Sequence, residues 1–532
     1  MISDYLPVRE LQAALQEAQL REVAALVQRG NTETIDPVSD RRFLARIYDA
    51  FYGPDRLRRQ RKQVLDFVPH AKLRALAQFV GIDDGGSFPE LVARLSRPTW
   101  GPNDFTRRCL EFFGYPIEYA PTEEDVPGAS ETVHPHPDPL RSLFDYQSNV
   151  AYRSQSALAA PCARAMVQMP TGSGKTRTAM EVVSHYLNGL PDGVVVWLAH
   201  TEELCEQAAR AFLHVWRHVG KRPVQIQRWW GSLNPQPIEK PAFIVGGFVK
   251  LNGLVRKSEL SPKADLIVID EAHRALAPTY ETVVNWAKTS SGRVLGLSAT
   301  PGRAMRDEDE NTRLAEYFNE QIIRIDSGEL GVIQMLQGRG ILAHADREVL
   351  DTKRTFHLTR EEWAQLEEQF EYPMTFLKRV AQDQERTRLI MERLLEVVRT
   401  SERVIVFATS VEQSRLLIAL LVYHGVKAAH IDGGTSPATR RASINRFRTG
   451  DLRVLSNYEV LSTGFDVPHI DAVFIARPTK SLVLYSQMIG RGMRGVSVGG
   501  TAYFRLVDVV DNITDYSSDL DDVHEYFAEY WG

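Results

Sequence analysis

The stretch MPTGSGKT, residues 169–176, decides the fold of this 532-residue chain. A Gly-rich loop that ends in Gly-Lys-Thr wraps phosphates with its backbone N–H groups, and a helix follows it. Lys175 would reach the β- and γ-phosphates, and the hydroxyl of Thr176 would hold Mg²⁺. The strict pattern has a glycine where this chain has Met169, but the Thr-Gly-x-Gly-Lys-Thr core is intact. The stretch predicts a nucleotide-binding α/β domain.

A second motif, DEAH at residues 270–273, follows an apolar run about one hundred residues later. An acidic pair at the end of a strand supplies a further Mg²⁺ contact, here Asp270, and a group that orients or deprotonates water, here Glu271. Asp-Glu after a strand is common by itself. Combined with the phosphate loop and the later Ser298-Ala299-Thr300, it predicts hydrolysis of a nucleoside triphosphate.

Composition and charge limit the classes of protein that remain. The chain has 43% hydrophobic and 25% charged residues, as an ordinary globular protein does, and its length suggests three or four domains. The net charge of −5 argues against a generally basic coat for nucleic acid. A polyanionic partner would therefore be met in a local groove.

Cysteines and apolar segments indicate the compartment. Cys109, Cys162 and Cys205 are far apart, which excludes a zinc ribbon and argues against a disulfide framework, and we expect all three to be buried. The N-terminus lacks the apolar centre of a signal peptide. The longest apolar run, residues 416–423, is too short to span a bilayer. We expect a cytoplasmic protein with no membrane partner.

The chain divides at one Pro-rich and acidic stretch, residues 117–139, which predicts an exposed linker. Residues 1–116 before it have helical periodicity and predict a helical N-terminal domain. After it, short apolar runs alternate with helical stretches in two series. We expect a first lobe at 140–326 and a second lobe at 327–532.

The apolar runs predict parallel strands that are covered on both faces. They begin at 194, 242, 265 and 293 in the first series, and at 403, 427, 452, 471 and 502 in the second. Open parallel sheets bind their ligands at the carboxyl ends of the strands, and the phosphate loop, Asp270 and Ser298 all fall at such ends. The fold class is therefore α/β, with two tandem parallel-sheet lobes and a helical N-terminal domain.

Over residues 140–510 the chain resembles the superfamily 2 helicases and translocases, whose two lobes are RecA-like. The resemblance is carried by RSLFDYQ ending at Gln147, by residues 198–207, by SATPGR at 298–303, and by residues 404–413 and 457–468. It implies that ATP and Mg²⁺ are the cofactors. The nucleotide-binding residues it implies are Gln147 (for the adenine), Thr171, Gly172, Ser173, Gly174, Lys175, Thr176, Gly464 and Asp466.

The segment QMIGRGMRG, residues 487–495, is similar to the last motif of that family. The resemblance implies that Gln487, Arg491 and Arg494 are catalytic together with Lys175, and that both arginines reach the triphosphate on the first lobe. The sequences of residues 457–468 and 487–495 are most similar to those of type I and type III restriction motor subunits and bacterial DNA-repair helicases. That similarity favours DNA over RNA as the partner.

The N-terminal domain contains two weaker signals for nucleic acid. Residues 68–97 have the helix–loop–helix periodicity of the SAP fold, a small DNA-binding module, although an ordinary helical hairpin would show the same pattern. Just before them lies RLRRQRK, residues 56–62. These five cations would either follow phosphates or form a solvated face, and the sequence alone does not separate the two.

We expect a nucleic-acid-dependent ATPase that translocates on DNA and unwinds it, in DNA repair or in defence against foreign DNA. Three alternatives remain open. One is an RNA-dependent ATPase of the same fold, and another is a double-strand translocase that does not separate strands. The third is an ATP-gated sensor that recruits a protein partner supplying an effector activity.

Overall fold

The computed structural model has an α/β architecture with two separate sheets. It describes residues 1–12, 39–52, 54–123, 128–136, 140, 142–257, 261–299, 308–329, 331–369, 371–458, 467 and 469–514, with the backbone alone at 308–311, 368 and 369. Within these ranges no helix is both long enough and apolar enough to cross a bilayer.

The N-terminal part is helical wherever it is described. Its α-helices are α1 Val8–Gln12, α2 Arg41–Phe51, α3 Asp55–Leu65, α4 His70–Val80, α5 Phe88–Ser96 and α6 Asp104–Phe112. Asp40 caps α2 by accepting from the Arg42 and Phe43 N–H groups. Gly81 ends α4 with φ 76°, a left-handed conformation that favours glycine. Helices α4 and α5 thus form the predicted helix–loop–helix; its relation to the SAP fold stays a prediction.

The first sheet has eight strands in the order β1-β4-β5-β3-β6-β7-β2-β8. Their bounds are β1 Ser130–Val133, β2 Arg164–Gln168, β3 Val194–Ala199, β4 Val224–Trp229, β5 Ala242–Gly247, β6 Ala264–Asp270, β7 Lys288–Ser298 and β8 Ile322–Arg324. All neighbours are parallel except β1 and β4. Every residue of β3 is buried, as expected for a strand covered on both faces.

The second sheet has six strands in the order β11-β12-β10-β13-β14-β9, all of them parallel. Their bounds are β9 His344–His357, β10 Val404–Phe407, β11 Ala428–Ile431, β12 Val454–Asn457, β13 Ala472–Ile475 and β14 Tyr503–Thr514. The predicted fold class, two tandem parallel-sheet lobes of the RecA type, is confirmed.

Helices connect the strands of both sheets. Those of the first lobe and its exit are α7 Asp145–Ala157, α8 Lys175–Gly189, α9 Glu202–Val219, α10 Phe248–Arg256, α11 Pro278–Ala287, α12 Glu308–Tyr317 and α13 Val332–Gly338. Those of the second lobe are α14 Arg360–Gln369, α15 Met374–Ala381, α16 Gln384–Thr400, α17 Val411–Tyr423, α18 Pro437–Thr449 and α19 Leu482–Ile489. Side-chain oxygens cap several of them, including Thr201 on α9, Ser436 on α18 and Ser481 on α19.

Two expectations from the sequence need correction. The predicted linker is not wholly an exposed connector, because its residues 130–133 form strand β1, which pairs with β4 at the edge of the first sheet. Its Val133 is buried there. The strand is too short for its apolar residues to show a periodic pattern in the sequence. Cys162 is exposed, with its Sγ 3.2 Å from Ser290 O, whereas Cys109 and Cys205 are buried as expected.

Candidate nucleotide-binding site

The phosphate loop connects β2 to α8. Met169 continues the strand past Gln168: its N–H donates to Ser298 O (3.1 Å), and its side chain is fully buried. The methionine therefore occupies a position in the core, where no left-handed conformation is required. Gly172 and Gly174 have φ values of 84° and 86°, which glycine adopts without strain. The motif therefore keeps glycine at the two positions where the backbone is left-handed and lacks it at residue 169, where the backbone is not.

Two side chains of α7 support this loop. Tyr146 Oη donates to Ser173 O (2.7 Å), and Gln147 Nε2 donates to the same carbonyl (3.1 Å). Gln147 Oε1 accepts from Phe144 N (3.0 Å), so both ends of the amide contact protein. A Cβ at Gly174 would lie 2.2 Å from Gln147 Nε2 and displace it. Gln147 thus holds the loop in place, and its adenine-reading role stays a prediction.

Strand β6 brings the acidic pair to the same edge of the sheet. It lies two strands away from β2 and ends at Asp270, as the sequence predicts. Glu271 then turns out of the strand with φ 57°, and its N–H donates to Asp270 Oδ1 (3.1 Å). A left-handed conformation at a non-glycine residue costs about 1–3 kcal/mol, and such strain clusters at functional sites. The turn separates the two carboxylates so that they can act on different groups.

Burial and the charge of Lys175 determine how the pair titrates. Burial raises the pKa of Asp270 to about 6, while Lys175 acts in the opposite direction. Burial also opposes ionisation of Glu271, but the charges of Lys175 and His273 outweigh it and lower the pKa of Glu271. His273 Nδ1 lies 3.4 Å from Glu271 Oε2. At neutral pH Glu271 is therefore ionised, and Asp270 becomes ionised as the pH rises through about 6.

The donor set fits Mg²⁺ in the form that accompanies a nucleotide. In the described ranges no three His, Cys, Asp or Glu side chains converge on a metal-sized site. Mg²⁺ bound with a triphosphate typically uses one or two protein oxygens, waters and the phosphates themselves. The hydroxyl of Thr176 in the first turn of α8 and the carboxylate of Asp270 are oxygens of that kind.

Helix α19 of the second lobe completes the site from the opposite side. Gln487 Nε2 donates to Glu271 Oε1 (3.2 Å), and Ser486 Oγ lies 2.7 Å from Thr171 Oγ1 of the phosphate loop. These two contacts join residues more than two hundred positions apart. The structure thus brings Gln487 and Glu271, both predicted from the sequence, into direct contact.

The chain after α19 also packs against the phosphate loop. A Cβ at Gly172 would lie 3.8 Å from Met493 Cβ, and a Cβ at Gly490 would lie 2.1 Å from Thr171 Cγ2. Glycine at 490 therefore permits the close approach of the two lobes. Arg491, whose Nε donates to Gln487 O (3.2 Å), and Arg494 lie on either side of Met493, on the segment that faces the loop.

Buried polar contacts hold α19 on its sheet. Tyr485 Oη donates to Asp508 Oδ2 (2.8 Å) on β14, and Arg347 Nε of β9 donates to the same oxygen (2.6 Å). This fixes the rotation of α19, which directs Ser486 and Gln487 toward the first lobe. Sequence reasoning did not identify Tyr146, Ser486, Tyr485 or Asp508, although Tyr146, Tyr485 and Ser486 lie directly beside the motif glutamines.

Three of the predicted residues lie outside the described residues: Thr300, Gly464 and Asp466. Their predicted roles stay predictions. The described part of SATPGR ends at Ala299, where Ser298 O accepts the N–H of Met169 and ties that motif to the start of the phosphate loop.

Beside the nucleotide site, the carboxyl ends of β3, β4 and β5 line an open cavity of about 590 Å³. His200, Trp230, Lys250 and Lys257 are among its lining residues. His200 Nδ1 lies 3.1 Å from Tyr280 Oη, and burial lowers the pKa of His200 to about 4, so its ring is neutral. The cavity presents two lysines and an aromatic ring at the edge where parallel sheets bind ligands.

Two family models match this chain. The family described as "Type III restriction enzyme, res subunit" matches residues 141–303, and the family described as "Helicase conserved C-terminal domain" matches residues 387–496. The first match contains the phosphate loop and the acidic pair, and the second contains Gln487, Arg491 and Arg494. Together the matches cover about half of the chain.

Similar proteins include a "51.5 kDa protein" of a Lactococcus phage, 24% identical over 369 residues that span 69% of each chain. The IRC3 protein of Saccharomyces cerevisiae is 23% identical over 373 residues, which span 66% of this chain and 49% of the yeast protein. Among solved structures, the "ATP-dependent Type ISP restriction-modification enzyme LlaBIII bound to DNA" has a TM-score of 0.49 at 18% identity, covering 74% of this chain and 29% of that one.

The motif series, the two-lobed site and the two family matches agree with one another. They indicate an ATP-hydrolysing enzyme of the helicase family that acts on nucleic acid. The chain is a superfamily 2 helicase related to the motor subunits of restriction enzymes.

Proposed function

We propose that this chain is a DNA-dependent ATPase that translocates along DNA and separates its strands, in DNA repair or in defence against foreign DNA. The contact between Gln487 and Glu271 carries the proposal. Because the group that activates water on the first lobe is held by a side chain of the second lobe, hydrolysis depends on closure of the two lobes. A polymer that binds across both lobes favours closure and would thereby stimulate hydrolysis.

The residues of the first lobe would bind and polarise the triphosphate. Backbone N–H groups of the loop and the ammonium of Lys175 would cradle its phosphates, while Glu271 would orient the attacking water. Thr176 and Asp270 would hold Mg²⁺, which supplies charge neutralisation of the β- and γ-phosphate oxygens when it is bound. Arg491 and Arg494 would add a permanent positive charge from the second lobe.

Movement would follow from the dependence of this site on closure. ATP binding would draw α19 and the two arginines that follow it toward the phosphate loop, and product release would let the lobes separate. A strand held by both lobes then changes its grip once per cycle. The cavity beside β3, with Lys250 and Lys257, is a suitable contact for the strand on the first lobe.

DNA is favoured because the first-lobe family model is that of a restriction-enzyme subunit, a class of protein whose substrate is DNA. The two second-lobe motifs similar to DNA-repair helicases support the same choice. A protein partner that supplies an effector activity and a cytoplasmic location stay predictions from the sequence.

The test is steady-state ATP hydrolysis with no polymer, with single-stranded DNA, with duplex DNA and with RNA, each at two salt concentrations. Strong stimulation by DNA that weakens with salt supports the proposal, because phosphate contacts release counterions. Stimulation by RNA alone would show that the partner is RNA and not DNA. Equal turnover under all four conditions would contradict a polymer-driven cycle and favour an ATP-gated sensor.

A further inference from the structure

The N-terminal domain is joined to the second lobe at the start of helix α18. The carboxylate of Asp55, the first residue of α3, accepts from Ser436 N (3.0 Å) and Thr439 Oγ1 (2.8 Å), and also from Ser436 Oγ. Arg59, one turn further along α3, donates to Gly434 O. An aspartate of one domain thus accepts three hydrogen bonds from the start of a helix of another domain, which fixes α3 against the loop of residues 432–436.

That loop lies at the edge of the second sheet that faces the first lobe. It follows β11 at the carboxyl end of the strand, the end where open parallel sheets bind ligands. One residue after Thr439, Arg440 forms an ion pair with Glu203 of the first lobe (3.0 Å). Glu203 belongs to residues 198–207, one of the stretches that carry the resemblance to the helicases. Helix α3 therefore borders the groove between the lobes.

The cations of α3 divide into those with an intramolecular partner and those without. Arg56 lies over the Tyr52 ring, and Arg59 binds the loop. Arg61 donates to Ser96 O and Pro98 O. Arg58 and Lys62 are exposed and form no ion pair in the described part of the chain. Both side chains are exposed, on the helix whose Asp55 and Arg59 contact the loop of residues 432–436.

The surrounding charge does not neutralise these two side chains. Residues 54–115 contain 11 Lys and Arg against 7 Asp and Glu, in a chain whose net charge is −5. Within this segment Asp55 is engaged by α18, Asp83 pairs with Arg94, and Asp66 lies one turn after Lys62 without pairing with it. A merely solvated basic helix would gain from acidic partners one turn away, and here that pairing is absent.

We propose that Arg58 and Lys62 bind backbone phosphates of the nucleic acid where it leaves the groove between the lobes. The inference rests on the proposed function, since it assumes that a nucleic-acid strand occupies this groove. Because Asp55 fixes α3 to the second lobe, this contact belongs to the second lobe and moves with it. The N-terminal domain thereby adds phosphate contacts to those that the helicase motifs of the second lobe would make.

The experiment compares two full-length double variants with the unmodified chain. Arg58→Ala with Lys62→Ala removes the proposed contact. Arg399→Ala with Lys427→Ala is the matched control, because these exposed cations precede β10 and β11 at the opposite, amino edge of the same sheet. Thermal unfolding of each variant checks that the fold is retained.

The readout is the dissociation constant for fluorescently labelled single-stranded and duplex DNA, measured by anisotropy over a range of salt concentrations. Each phosphate contact contributes about 0.9 to the slope of log K against log salt for duplex, and about 0.7 for a single strand. Loss of both contacts is expected to reduce the slope by about 1.8 or 1.4, respectively. The control variant should keep the slope of the unmodified chain.

Two results would overturn the inference in distinguishable ways. If the unmodified chain binds DNA and both variants keep its slope, α3 does not contact phosphates, and the proposed function is untouched. If the unmodified chain binds neither form of DNA and is not stimulated by it, the proposed function itself fails, and the inference about α3 fails with it.

Discussion

The second lobe has an interface with the first lobe and another with the N-terminal domain, and buried apolar residues are continuous across both. Only the first of these includes contacts at the nucleotide site in the described residues, where Gln487 contacts Glu271 and Ser486 contacts Thr171. Toward the N-terminal domain, buried apolar residues of both form one continuous cluster, and Phe43 packs edge-on against Tyr423 at 5.4 Å. The first interface includes residues that are predicted to bind the nucleotide, so we expect nucleotide binding to change it.

Among the residues that the structure describes, the second interface contains none of those predicted to bind the nucleotide. Arg441 and Arg446 of α18 donate to Ala120 O (2.8 Å) and Tyr119 Oη (2.8 Å), which extends the contact beyond the shared core. Separating the two parts would expose this apolar surface and leave these groups without their partners. We therefore expect the N-terminal domain and the second lobe to move as one body when nucleotide binding changes the contact between the lobes.

The largest expected effect is on the first-lobe side of the nucleotide site. Lys175→Ala removes the charge that binds the β- and γ-phosphates and should reduce ATP hydrolysis to the level of a protein-free blank. Lys221→Ala, an exposed lysine between α9 and β4, is the control and should hydrolyse normally. Unchanged turnover in Lys175→Ala with an intact fold would show that the phosphate loop is assigned wrongly.

The second-lobe side of the same site should be nearly as sensitive. Arg491→Ala or Arg494→Ala is expected to reduce the hydrolysis rate by about 10³–10⁵-fold, the usual effect of an arginine finger. Nucleotide affinity, measured with a fluorescent ATP analogue, should largely survive, because the loop and Lys175 remain. Arg399→Ala provides the control on an exposed part of the same lobe. Normal hydrolysis in both finger variants would mean that the lobes do not share the site.

The pH dependence should reflect the acidic pair. The pKa of Asp270 is raised to about 6 by burial, and its ionised form is the one that would bind Mg²⁺. The value of kcat/KM, which reports the free enzyme, should therefore fall about tenfold between pH 7 and pH 5. A profile that stays flat down to pH 5 would show that Asp270 titrates at its ordinary value or does not bind the metal.

The smallest effect is expected at the other interface. Asp55→Ala removes the carboxylate that accepts from Ser436 N, Ser436 Oγ and Thr439 Oγ1, a loss of about 0.5–1.5 kcal/mol for each hydrogen bond. Amide exchange at Ser436, whose N–H loses its acceptor, should then accelerate about 2- to 13-fold, while hydrolysis without nucleic acid stays unchanged. Asp66→Ala, an exposed aspartate of the same domain, should alter neither quantity. Equal exchange in the two variants would contradict the joined-body account.

Strands whose buried side chains are apolar can be predicted from the sequence, whereas a strand whose buried side chains are polar cannot. Strands β3, β5 and β6 are continuous apolar runs, and the sequence predicts all three. Strand β4 was missed because its buried Gln225 and Gln227 read as polar. In the structure, Gln227 Nε2 donates to Pro237 O (3.0 Å) and its Oε1 accepts from Trp229 Nε1 (2.7 Å), partners that no local pattern reveals.

Strand β9 was missed for a different reason. It lies at the edge of the second sheet, pairs only with β14, and has many exposed charged side chains, so it lacks an apolar run. The short β1 is likewise an edge strand, within the predicted linker. At the site, local motifs alone predict Lys175 and Asp270. The contact of Ser486 with Thr171 spans more than three hundred residues and requires the tertiary structure.

The most direct test of the central claim, that two lobes complete one catalytic site, is the hydrolysis rate of Gln487→Ala with saturating nucleic acid. The account predicts a decrease of about 10–100-fold, because the hydrogen bond from Gln487 to the ionised Glu271 is lost while the phosphate loop remains intact. A stimulated rate equal to that of the unmodified chain would contradict it.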